Sequence, residues 1–360
     1  MDYRALETYL ESLALDDLND EQRQQLYEVL KPYQTYKRYN RLEWFEPRQY
    51  QREYMNAGKD YNIRYLRAGN RTGKTYGAAN EFAYHITGRY PDWWEGARIE
   101  GGGHTFWAVG ITLDSVATVI QKELFGTADI RTEDVGTGTI PKDAIERGQG
   151  WQPDGSRLKS CMIRHKSGQL NTLRFYGSEN VAVMMGAKCA LIWMDEEAFN
   201  GMEVYTQCVT RLINAFGTCK NGYMMLTATP ERGNTELNQL FDNDESGLLF
   251  MRSASWDDIP GMTEEQIEQE LAKYPKWQHE MRRNGLPVIG TGAIFPYSDE
   301  QITVSEVVPG PHWQILRAID WGVSHDPTVI VEALFNPDTN TYYIYDCIYL
   351  DKSDYDRSPA

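Results

Sequence analysis

Apolar residues follow two rhythms along this chain. Short, near-continuous apolar runs at residues 63–66, 106–111, 173–176, 190–194 and 223–227 read as strands. Between them, residues 75–87 place Ala79, Phe82, Ala83 and Ile86 at i, i+3, i+4 and i+7 and stop at Gly88, while residues 115–125 stop at Gly126. Both segments read as helices ended by glycine. Strands that are apolar throughout are buried on both faces. The pattern therefore predicts an α/β core, a mostly parallel sheet covered by helices on each side. The stretch 136–168, rich in Gly, Pro, Asp and Lys, reads as loops.

The flanks differ. Residues 1 to about 40 read as polar, amphipathic helices, with Asp16, Asp17, Asp20 and Glu21 around Leu13, Leu15 and Leu18. A solvated prefix and a partner-docking helix are both compatible with that pattern. A polar helix over 263–274 opens on Thr263 and Gln266 as a capping pair. Gly285, Pro287, Gly290, Gly292, Pro296, Pro309 and Pro311 then mark a small subdomain and a linker. Strands follow at 315–319, 328–335 and 341–350, with a turn at 337–340. The expected division is an acidic helical segment (1–43), an α/β core (44–252), a lid subdomain with its linker (253–311) and a final β unit (312–360).

Composition narrows the function. The 360 residues carry 36 Lys and Arg against 52 Asp and Glu, a net charge of −16. That acidity argues against a general polyanion binder held by counterion release. Five scattered cysteines show no CxxC pair and read as reduced thiols. No apolar run approaches the roughly 18 residues of a membrane span, and no membrane partner is expected.

The candidate chemistry lies where strands meet helices. Ala68-Gly69-Asn70-Arg71-Thr72-Gly73-Lys74-Thr75 matches G-x-x-x-x-G-K-T except at Ala68. In such a loop Gly69, Asn70, Arg71, Thr72 and Gly73 bring backbone N–H groups to phosphate, Lys74 reaches the β and γ phosphates, and the Thr75 hydroxyl ligates Mg²⁺. About 120 residues on, an apolar strand ends in Asp195-Glu196-Glu197. Asp195 would hold Mg²⁺ and Glu196 would activate water, a pairing that points to ATP hydrolysis. Glu197 reads as a helix-start residue favoured by the dipole. Thr227-Ala228-Thr229 ends the next strand, placed to sense the γ phosphate or Glu196. Upstream, Gln51 has an amide suited to the adenine edge, with Tyr50 or Tyr54 offering a stacking face; a mixed-charge surface helix is the alternative. Asp320 follows a short apolar strand, with Asp326 nearby in a loop.

In this order the motifs resemble the large subunit of tailed-bacteriophage terminase, over about residues 44–350. The resemblance implies a P-loop NTPase of the ASCE/RecA-like type with a lid subdomain, then an RNase H-like domain whose first metal-binding carboxylate is Asp320. It implies Gln51 as the adenine motif and Thr227, Ala228 and Thr229 as the coupling motif. Implied cofactors are ATP and Mg²⁺, with Mg²⁺ or Mn²⁺ at the nuclease site. Implied partners are double-stranded viral DNA, a small subunit, a portal protein and a homo-oligomeric ring of five subunits. The setting would be the host cytoplasm, transiently at the procapsid portal and not in the mature virion. Members carry further nuclease carboxylates beyond the first, so these 360 residues are expected to lack nuclease activity; metal-dependent plasmid nicking abolished by Asp320→Ala would show otherwise. Many members also carry Arg-Gly before the acidic strand, where this chain has Met185-Gly186. Arg71, acting in cis, and Arg211 are then the candidate arginine fingers, with Lys188 lacking the planar fork. A helicase-like translocase and a nucleotide-gated assembly protein are the rival functions. The basic stretch Lys142, Arg147, Arg157, Lys159, Arg164, Lys166 and Arg174 reads as a DNA contact or a solvated face.

Overall fold

The computed structural model describes residues 6–7, 19–148, 150–184, 186, 188–217, 219–288, 302–321 and 328–350. Residues 8–18, Met185, the glycine-proline stretch from 289 to 296, and Asp326 lie outside the described residues. The chain forms two compact units, 1–296 and 297–360.

The first unit is built on one sheet of nine strands. β1 (Ile63–Ala68), β2 (Thr105–Gly110), β6 (Leu170–Gly177), β7 (Leu191–Asp195), β8 (Tyr223–Ala228) and β9 (Leu249–Ala254) run parallel, in the order β6-β2-β7-β8-β1-β9. Three antiparallel strands extend the β6 edge: β3 (Ile145–Glu146), β4 (Gln152–Asp154) and β5 (Arg157–Arg164). This corrects the reading of 136–168 as loops. On β5 the buried residues are Leu158, Cys161 and Ile163. Two residues separate the first pair, beside a pairing irregularity at Gln152/Pro153, so the period of two is broken where a strand would be read.

The central strands are apolar in both directions because two cores flank them. Phe106 and Ala108 of β2, with Leu191 and Trp193 of β7, join the core that receives the helix Lys74–Thr87 (α3). Their neighbours Trp107, Val109, Ile192 and Met194 join the opposite core, under the helix Gly201–Leu212 (α5). Further helices of this unit are α1 (Asp20–Tyr39), α2 (Gln49–Asn56), α4 (Leu113–Ser115, a π-wound Val116–Gln121 and Lys122–Phe125), α6 (Glu236–Asp242), α7 (Glu264–Leu271) and α8 (His279–Asn284). Thr263 caps α7 with Gln266 as its reciprocal partner, as the sequence predicts. Three residues of the basic stretch form local ion pairs: Arg157 with Asp114 and Asp154, Lys159 with Asp154, and Arg164 with Glu146.

The second unit carries an antiparallel sheet of β10 (Gln314–Asp320), β11 (Thr328–Asn336) and β12 (Thr341–Leu350). Asp320 is the last residue of β10, pairs with Val329 and is exposed.

Candidate active site

Parallel strands deliver their carboxyl ends to one edge, and three of them build the site. β1 ends at Ala68 and the chain turns through the loop into α3. Gly73 adopts φ +99°, a left-handed conformation that admits glycine readily, and Arg71 adopts φ +60°. The turn is braced from outside: Tyr50 Oη donates to Thr72 O at 2.6 Å, Arg48 donates to the same carbonyl, and Thr72 Oγ1 donates to Gly69 O at 3.0 Å.

Gln51 serves the same brace. Its Nε2 donates to Gly73 O at 2.9 Å and its Oε1 accepts from Arg48 N at 2.8 Å. Each end of the amide is engaged once, which ties Gln51 to the loop and to Arg48, and the side chain is buried. Tyr54 is buried and donates to Arg64 O, away from any stacking position on an open face.

β7 and β8 bring the acids. Thr75 Oγ1 lies 3.2 Å from Asp195 Oδ1, and Thr227 Oγ1 donates to that oxygen at 2.5 Å while accepting from Trp193 Nε1 at 2.9 Å. Asp195 is buried. Burial, then the negative charge of Glu196, pushes its carboxyl up to about 7, against the opposing pull of Thr227, Lys74 and Thr75. A carboxylate so disfavoured calls for positive charge. A hydroxyl and a carboxylate are hard oxygen donors, so Thr75 and Asp195 fit Mg²⁺, which takes few protein ligands and completes its shell with water and phosphate.

Glu196 sits at φ +62° with its N–H on Thr227 O at 2.7 Å. This backbone turn aims its carboxylate across the loop: Lys74 Nζ is 2.9 Å from Oε1, and Thr229 N donates to Oε2 at 2.9 Å. Lys74 Nζ also donates to Thr229 Oγ1 at 2.8 Å. Phosphate loop, acidic strand and coupling strand therefore meet at one point. Ala228, between the two threonines, is buried in the core on the α5 side.

One expectation is corrected and one is narrowed. Glu197 does not start a helix. Asn200 is the cap residue of α5 and Glu203 the acid of its first turn, while Glu197 is buried and accepts from Asn238 Nδ2 at 3.2 Å. Arg211 does not join this site within the chain. It lies in the last turn of α5, where its carbonyl accepts from Cys189 N, before the start of β7 and at the opposite end from Asp195. Lys188 is at that same end, donating to Asn214 O. Arg71 is exposed on the rim of the cleft.

The cleft measures about 1450 Å³, and its far wall is the segment that follows β9. Trp256, Ile259, Met262, Gln266 and Tyr274 line it opposite Lys74 and Glu196. This wall is fastened to the phosphate loop: Trp256 Nε1 donates to Asn70 O at 2.6 Å, and Asn70 N donates to Arg282 O at 3.2 Å. Neither this contact nor the place of Arg232 in the cleft is legible in the sequence: the contact joins segments remote in the chain, and Arg232 depends on the turn after Thr229. Gly285 makes the wall's approach possible. It has φ +62°, and a Cβ there would stand 2.6 Å from Ala68 Cα. Gly285→Ala should therefore cost at least about 1–2 kcal/mol in backbone strain alone and lift α8 from the loop. Weaker binding of a fluorescent ATP analogue to the folded variant is expected; unchanged binding would remove the wall from nucleotide affinity.

The chain is similar to known proteins. The chain is 28% identical to the terminase large subunit of Salmonella phage P22 over 348 residues, covering 92% of this chain and 68% of that protein. It is 23% identical to the terminase large subunit of Enterobacteria phage LP7, covering 92% of this chain and 70% of that protein. The large terminase ATPase domain of Thermus phage P74-26 superposes with a TM-score of 0.50 at 16% identity, covering 69% of this chain and 96% of that one, a likeness of fold. The family described as terminase large subunit, T4likevirus-type, N-terminal, matches residues 65–302, a span that includes the phosphate loop, both acids and the fastened wall. With the sheet order, the site and this match in agreement, the chain belongs to the terminase large subunit family.

Proposed function

We infer that this chain is an ATP-hydrolysing motor subunit that drives viral double-stranded DNA into a procapsid. The observation that carries hydrolysis is the convergence of Lys74, Glu196 and Thr229 within hydrogen-bonding distance. Entering phosphates compete with Glu196 for Lys74. That competition frees a carboxylate oxygen to take a proton from water, while Thr229 N keeps the other oxygen in place. Gly69, Asn70, Thr72 and Gly73 offer loop N–H groups to the phosphates, and Arg71 is the candidate finger in cis. Thr75 and Asp195 would hold Mg²⁺, which when bound supplies charge to the β and γ phosphate oxygens.

Work on DNA rests on family membership. Its expected partners are a small subunit, a portal protein and a ring of five such subunits in the host cytoplasm. Asp320 would be one of several carboxylates of a two-metal nuclease. Among the described residues no group of three or more His, Cys, Asp or Glu is placed to share a metal. The test is ATP turnover with and without duplex DNA and procapsids. Turnover that rises with both, and is lost in Lys74→Ala, is expected. ATP-dependent oligomerisation without turnover would establish instead a nucleotide-gated assembly protein, and stimulation by single strands alone a helicase-like translocase.

A further inference from the structure

Four basic side chains line the cleft among the described residues: Arg71, Lys74, Arg232 and Lys273. Lys74 is committed to Thr229 and Glu196. Arg232 lies three residues beyond Thr229, on the loop from β8 to α6, and is exposed. Its Nε donates to Glu197 O at 3.1 Å, and its guanidinium carbon is 5.2 Å from the centre of the Phe199 ring. Phe199 is 90% exposed, so this ring adds nothing to the core; it is a platform on which a cation can rest. Among the described residues the two terminal nitrogens of Arg232 make no hydrogen bond or ion pair. The loop beneath is fixed. Asn238, fully buried, donates to Gly233 O at 3.1 Å and to Glu197 Oε2 at 3.2 Å, and accepts from Tyr65 Oη at 3.2 Å.

We propose that Arg232 is a γ-phosphate ligand acting in the same subunit, its guanidinium leaving Glu197 O to present its fork to the terminal phosphate of ATP. The proposal rests on the reading of the cleft as an ATP site. A planar fork already poised on the loop next to Thr229 matches the tetrahedral oxygens better than an ammonium does. In hydrolysis the water oxygen bonds to the γ phosphorus, and the bond to ADP breaks with its electron pair remaining on ADP. The water proton passes to Glu196. Arg232 supplies positive charge to the oxygens of the transferring group and exchanges no atom. When phosphate departs, Arg232 returns to Glu197 O and Phe199. Its loop is tied through Asn238 to α6, so this return is a mechanical report of the hydrolysis state.

The test compares wild type, Arg232→Ala, Arg232→Gln, Arg232→Lys and Lys74→Ala in single-turnover hydrolysis. Titrations with ADP and with a non-hydrolysable ATP analogue, and thermal melts, accompany it. Arg232→Ala and Arg232→Gln should lower the hydrolysis rate by about 10²–10³-fold and weaken the analogue by about tenfold or more. ADP affinity and melting temperature should stay as in wild type, and Lys should not restore the rate. A wild-type rate in Arg232→Ala, or equal loss of ADP and analogue binding, would overturn the assignment. Nucleotide binding abolished by Lys74→Ala secures the cleft independently. A failure of the ATP reading therefore appears in that control, and a failure of the Arg232 assignment in the Arg232 variants alone.

Discussion

Glu196→Gln is expected to bind ATP and all but cease to hydrolyse it. The carboxylate is held at three points: its backbone N–H on Thr227 O, Oε1 beside Lys74 Nζ, and Oε2 under Thr229 N. Glutamine keeps the shape, the backbone contact and, through its carbonyl, one of the two side-chain contacts, so the loop and the cleft should persist. What it cannot do is accept a proton from water. Loss of a positioned general base is worth about 10²–10⁴ in rate, and the expected fall in single-turnover hydrolysis lies in that range. Affinity for ATP should hold or rise, because Lys74 no longer divides its charge between Glu196 and phosphate. Lys74→Ala should behave in the opposite way and fail at binding. Glu196→Gln turning over at the wild-type rate would transfer the base role elsewhere; Glu197 and Glu231 also line the cleft, and burial with the bond to Asn238 leaves Glu197 poorly placed.

The parts of this site that sequence reveals are those whose chemistry is local. A loop between an apolar strand and a helix, with Gly73-Lys74-Thr75 at the junction, states its own purpose, and so does an apolar strand that ends in Asp195-Glu196. The helix of 75–87, its stop at Gly88 and the three final strands follow from periodicity alone, and the structure places them within a residue or two. What stays hidden depends on partners distant in the chain. Gln51 has the chemistry to read adenine, and only the fold shows its amide tied to Gly73 and Arg48. Glu197 looks like a helix-start acid until Asn200 is found to cap the helix. β5 is disguised because an irregular pairing breaks its alternation. Arg232 carries no local signal; the turn after Thr229 alone brings it to the cleft. The acidity of the whole chain, finally, says little about one basic stretch, in which Arg157, Lys159 and Arg164 pair with carboxylates beside them while Lys142 and Arg147 lie against the Tyr39 and Trp151 rings.

Glu81→Gln should destabilise the first unit by about 3–5 kcal/mol, the usual cost of stranding one charge of a buried ion pair. Arg64 of β1 and Glu81 of α3 are both fully buried, with 2.8 Å between Nη2 and Oε1. Arg64 also donates to Tyr54 O at 2.7 Å and lies against the Tyr54 ring at 4.8 Å. The pair thus locks the phosphate-loop helix, its strand and α2 together. Burial alone would raise the Glu81 carboxyl, but Arg64 and His85 beside it prevail and hold it below its ordinary value. Burial drives His85 below its ordinary value as well, with Glu81 opposing. Both groups are depressed on folding, so the sign is common: the unfolded chain binds more protons as pH falls. His85 contributes stability that is present above about 6.5 and is lost as pH falls towards its folded value. Glu81 does the same below about 4.5. Asp195, raised to about 7, has the opposite sign over this range; in urea denaturation across pH 5–7.5 the acid-side loss should therefore appear as the difference between wild type and His85→Gln, by up to about 1.4 kcal/mol per pH unit for one proton. Replacing both charges, as in Arg64→Met with Glu81→Gln, should recover most of what Glu81→Gln loses, because no charge is then stranded. A double variant no more stable than Glu81→Gln alone would mean that shape, not charge, holds α3 to β1.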